Sequence, residues 1–72
     1  MQRPRIQLIP IGIDAWRVVD PGRGPIGQVR VGRDEQGEHF AAKRFHPRDR
    51  RFHALGQFWS RDDAVDALVL ST

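Results

Sequence analysis

The stretch from Leu55 to Leu70, LGQFWSRDDAVDALVL, constrains the fold of this chain more than any other. Ala64, Val65, Leu68 and Val69 recur at helical spacing and make one apolar stripe, while Arg61, Asp62 and Asp66 are left for the wet face. Ser60 is the residue type that caps a helix N-terminus, and Asp63 follows it at the spacing of a shortened capping box. Asp62 and Asp63 also place negative charge at the positive end of the helix dipole. Phe58 is the apolar anchor before the cap, and Trp59 is expected to staple onto Ala64. One amphipathic helix must have a surface to cover. Leu55-Gly56 ends what reads as a strand, so that surface is a sheet built from the residues before it.

Those residues alternate as strands do. Ala15 to Asp20 is β-branched and aromatic, and Pro21 to Pro25 (PGRGP) is a turn. Ile26 to Val31 resumes the alternation, so the two segments form a hairpin whose glycines serve its turn rather than a phosphate loop. Gly32 to Glu38 is a polar loop, with Gln36-Gly37 as its corner. His39 to Phe45 is a third strand, His46 to Arg50 a turn around Pro47, and Arg51 to Leu55 a short fourth strand. The third strand places Phe40, Ala42 and Arg44 on one face and Ala41, Lys43 and Phe45 on the other. Phe40 and Ala42 belong beneath the helix, with Arg44 snorkelling at its rim. The second face then carries Phe45 beside Phe52 and Ala54. The expected fold is α+β: an antiparallel three- to four-stranded sheet with one C-terminal helix on one face, spanning residues 15–72. Residues 1–14 read as an extended arm. Pro4 and Pro10 restrict any strand there to an edge, yet Ile6, Leu8, Ile9, Ile11 and Ile13 are too apolar for a free tail. The arm either covers the open face or meets another copy of the chain.

Seventy-two residues make one small domain that buries roughly 60% of its unfolded surface. Cysteine is absent, which excludes disulfides and thiolate chemistry and fits a reducing, cytoplasmic setting. No apolar run approaches a membrane span, and the Pro-broken start is unlike a secretory signal. His39, His46 and His53 lack the partners of a zinc site, and Ser60 has no adjacent base, so neither metal, cofactor nor catalysis is expected. Charge is more informative. Lys43 to His53 holds five Lys/Arg against one acid, net +4, whereas Ala54 onward holds one Arg against three Asp, net −2. A focused positive patch points to a polyanionic partner.

Phe40-Ala41-Ala42, Leu55-Gly56-Gln57-Phe58 and the run Ser60 to Leu68 also carry a resemblance. Their order is similar to that in the small sheet-plus-helix DNA-binding domain of plant ethylene-response factors and the related N-terminal domains of phage and transposon integrases. The resemblance covers the chain after its arm and implies that the sheet face opposite the helix enters the major groove. Arg17, Arg30 and Lys43 lie in the strands that would do so, with Trp16 a weaker candidate. Phe45 and Phe52 on that face depart from the pattern.

The expectation is therefore a nucleic-acid-binding protein for double-stranded DNA. Arg48, Arg50 and Arg51 would contact phosphates from the turn, Arg17, Arg30 and Lys43 would track along the sheet, and Arg44 and His53 complete the basic segment. The alternative is a protein-interaction module or homodimer using Ile9, Ile11, Phe45, Phe52 and Trp59.

Overall fold

The computed structural model describes residues 5–71 and contains five strands and one helix: β1 (Gln7–Pro10), β2 (Ala15–Asp20), β3 (Gly24–Asp34), β4 (Gly37–His46), β5 (Arg51–Phe58) and α1 (Arg61–Leu70). The strands form one antiparallel meander in the order β1-β2-β3-β4-β5, and α1 lies across β3, β4 and β5. The class is the α+β arrangement expected, with one or two more strands. Of the expected arm, Met1 to Pro4 lie outside the described residues, as does Thr72. The remainder corrects the expectation of a separate arm: Gln7–Pro10 hydrogen-bonds along β2 as an edge strand. Pro10 is tolerated there because an edge strand need not donate on its outer side.

Side-chain chemistry explains each turn. Asp20 Oδ1 accepts the Gly22 N–H at 2.8 Å, and its other oxygen accepts from the Arg23 guanidinium at 3.1 and 3.2 Å, which closes the β2–β3 hairpin. Asp34 does the same for the Gln36 N–H at 2.8 Å, and Gly37 takes a φ of 115° to close the β3–β4 hairpin. The strands here are longer than the sequence suggests, because the polar residues from Gly32 to Asp34 stay paired with Gly37 to His39. β5 is longer too. It passes through Gly56 to Phe58 instead of stopping at Leu55. Ala42 pairs with Gly56 and Lys43 with Ala54, so Leu55 is the extra residue of a β-bulge, and Gly56 supplies its φ of 157°.

The core sits between α1 and one face of the sheet: Val18, Ile26, Val29, Ala42, Ala64 and Leu68 are buried together, with Phe40 and Phe58 packed around them. Ser60 caps α1 as expected, its Oγ accepting the Asp63 N–H at 3.1 Å. Trp59 corrects the staple: it is 69% exposed, and Phe58 is the neighbour that packs inward. Arg44 lies on the helix side as expected, and its guanidinium donates to the Ser71 carbonyl at 2.6 Å. The last turn of α1 has no basic residue of its own, so Arg44 brings the cation that complements the negative end of the dipole.

Candidate nucleic-acid interface

Antiparallel pairing carries the residues opposite the core onto the sheet face away from α1, where Arg17, Arg30 and Lys43 are exposed and Ala15, at the start of β2, is buried. The register sets out two rows across the strands: Ile9–Arg17–Gln28–Lys43–Ala54 and Ala15–Arg30–Ala41–Gln57. Alternation within each strand explains why Arg17, Arg30 and Lys43 share it, since Trp16, Val18, Val29 and Ala42 take the other side. Direct cross-strand neighbours stand about 5 Å apart, and like charges there repel. The rows avoid this. Gln28 separates Arg17 from Lys43, and alanines flank Arg30. Three cations therefore occupy one surface without facing each other, and the two rows contain no carboxylate. All three are exposed, and among the described residues none is in an ion pair.

A third row continues the face toward the β4–β5 turn, where Phe45 pairs with Phe52. Their ring centroids are 5.3 Å apart at a tilt of 57°, and Phe52 is 48% exposed. The turn beyond them displays Arg48 and Arg50. Arg50 has a φ of 55°, an uncommon left-handed conformation for an arginine. Asp49 holds the turn from within: its carboxylate accepts the Arg51 N–H at 3.0 Å and lies 2.9 Å from His53 Nε2. The His53 hydrogen bond, followed by that N–H, holds the Asp49 carboxyl below the usual carboxylate range.

Not every expected residue is brought to this face. Arg44 and His53 are cross-strand partners on the side of the sheet that carries the helix, as are His46 and Arg51. Arg44 is tied to the helix terminus and His53 to Asp49, with the His46 ring at 4.4 Å, so the basic segment is divided between two surfaces. Ile9, at 46% exposed, opens onto the cationic face, whereas Ile11 and Ile13 lie in the β1–β2 connection. The N-terminal isoleucines thus leave Arg17, Arg30 and Lys43 exposed. Gln28 and Gln57 are polar members of the rows that a reading by charge overlooks, although Gln28 stands at period two from Arg30 on the same strand.

The opposite surface carries paired charges as well as the exposed Arg51. Around the N-terminus of α1, Arg33 pairs with Glu38 at 3.1 Å and Arg61 lies 5.1 Å from the Trp16 ring centroid. Among the described residues no three His, Cys, Asp or Glu side chains converge as a metal site, and no helix is long and apolar enough to cross a membrane. No family model matches the sequence, and no curated protein or solved structure matches it.

Proposed function

We propose that this chain binds DNA by laying its helix-free sheet face and the β4–β5 turn against the phosphate backbone. The observation that supports this best is the pair of rows with Arg17, Arg30 and Lys43 exposed among neutral residues and no acid. Cations left without protein partners are the groups that phosphates neutralise, with release of the counterions condensed on the nucleic acid. Arg48 and Arg50 extend the positive surface past the end of the strands, and backbone contacts of this kind orient a protein without choosing a sequence. The arrangement is also the docking face that the resemblance implies. A second copy is a poor occupant for the same face, since apposing two such surfaces sets cations against cations.

The interaction reading retains one observation in its favour: Ile13 is 94% exposed, next to the half-exposed Ile9 and Ile11 at the β1 edge. Titration of a labelled DNA at about 50 mM salt, beside a light-scattering mass, separates the two readings. DNA binding by a monomer that Ile11→Asp leaves unchanged is the expected result. A protein that ignores DNA, and runs as a dimer that Ile11→Asp splits, would reverse the assignment.

A further inference from the structure

Resting on the DNA-binding reading, we infer that Phe45 and Phe52 form a base-stacking site and that the preferred ligand is a single strand. A surface for paired duplex has no use for an exposed ring at its centre of charge, because paired bases present their edges, while their faces are already stacked. Here a tilted ring pair, 5.3 Å between centroids, lies on the open face one strand-repeat from Lys43. Phe45 is two residues from Lys43 on β4, about 6.8 Å, and Phe52 is its diagonal neighbour on β5 at roughly 7–8 Å, so Lys43 holds a backbone phosphate while the neighbouring base lies on Phe52. Arg17, Gln28 and Arg30 continue the polar track across β2 and β3, and Arg48 and Arg50 stand at its other end. A positive track with interleaved aromatic rings is the arrangement that holds unpaired nucleotides, since every base has a face to stack. Ile9 and the alanines of the rows carry no hydrogen-bonding side chain, and stacking accepts every base, so sequence preference is expected to be weak and to come from Gln28 and Gln57 where it exists.

The probes are a twelve-nucleotide single strand of mixed sequence and the duplex of the same sequence. The single strand should bind the parent chain more tightly, and Phe52→Ala should weaken it about 5- to 150-fold, the range that follows when one base-stacking aromatic is removed. Phe52→Leu keeps the apolar bulk on an edge strand and should lose a similar amount, because a flat ring is what the base needs. Neither change should alter the salt dependence, and each variant's melting curve confirms its fold. Equal or tighter binding of the duplex, or a Phe52→Leu variant that binds the single strand like the parent, would overturn the stacking site while leaving DNA binding intact. Failure to bind either probe would remove both, and a dimer that Phe52→Ala dissociates would assign the ring pair to self-association.

Discussion

Gly27 stands beneath Leu68 so closely that a Cβ at that position would lie 2.5 Å from the Lys43 carbonyl oxygen and 2.6 Å from Leu68 Cδ2. The first neighbour is backbone and cannot turn aside. Gly27→Ala should therefore force strand and helix apart and lower stability by about 1–3 kcal/mol, read as a drop in denaturation midpoint. An unchanged midpoint would mean that the helix does not rest on β3. Ser60→Ala is a second local test: the Asp63 N–H loses its acceptor, and about 1 kcal/mol should go with it. Asp20 and Asp49 set the response to acid. The Gly22 N–H and then Arg23 hold Asp20 below its ordinary value of 3.8, and chiefly His53 does the same for Asp49. A carboxyl with a depressed folded-state value binds fewer protons folded than unfolded, so its stabilisation is complete above about pH 5 and is lost as pH falls through its unfolded and then its folded value. Melting curves should show this decline, and Asp20→Asn should make it shallower. An identical acid profile for that variant would detach Asp20 from the effect.

At the level of the elements, the helix is the part most readable from sequence, because its cap, dipole charges and apolar stripe all agree. Leu68→Ala removes a fully buried side chain from the stripe and should cost about 2–5 kcal/mol, a large part of what so small a domain has. A variant that melts like the parent would contradict the two-layer packing. Arg44→Ala should also destabilise, by about 1–3 kcal/mol, since the Ser71 carbonyl is deprived of a charged donor. The sheet is less readable, for identifiable reasons. Glycine marks turns and bulges alike, so Gly56 reads as the end of β5 although it only accommodates the extra Leu55. Proline limits β1 to the short edge strand that the sequence allows, while its pairing with β2 is a matter of tertiary context rather than local pattern. The placement of Phe40, Ala42 and Arg44 on the helix side is legible because strand alternation is strict between bulges.

Across the whole molecule, closeness in sequence and closeness in space part company in the basic segment. Lys43 and Arg44 are neighbours in the chain, yet one projects onto the open face and the other reaches the end of the helix. Arg17, Arg30 and Lys43 are far apart in sequence and share a surface. Charge along the chain reveals the first grouping; the second is expected from the resemblance, and the register of the sheet shows how its members are spaced. The claim that this surface meets phosphates is tested most directly by salt dependence. Affinity for DNA should be measured from about 50 to 200 mM salt for the parent chain and for the variant with Arg17, Arg30 and Lys43 all changed to Gln. These side chains are exposed and outside the ion pairs of the described residues, so melting should barely change. The slope of log affinity against log salt should fall by roughly 0.7–0.9 for each phosphate no longer neutralised, hence by about two to three in the triple variant. A parent-like slope in the folded triple variant would show that DNA, if bound, is held elsewhere, and would contradict the assignment of the open sheet face.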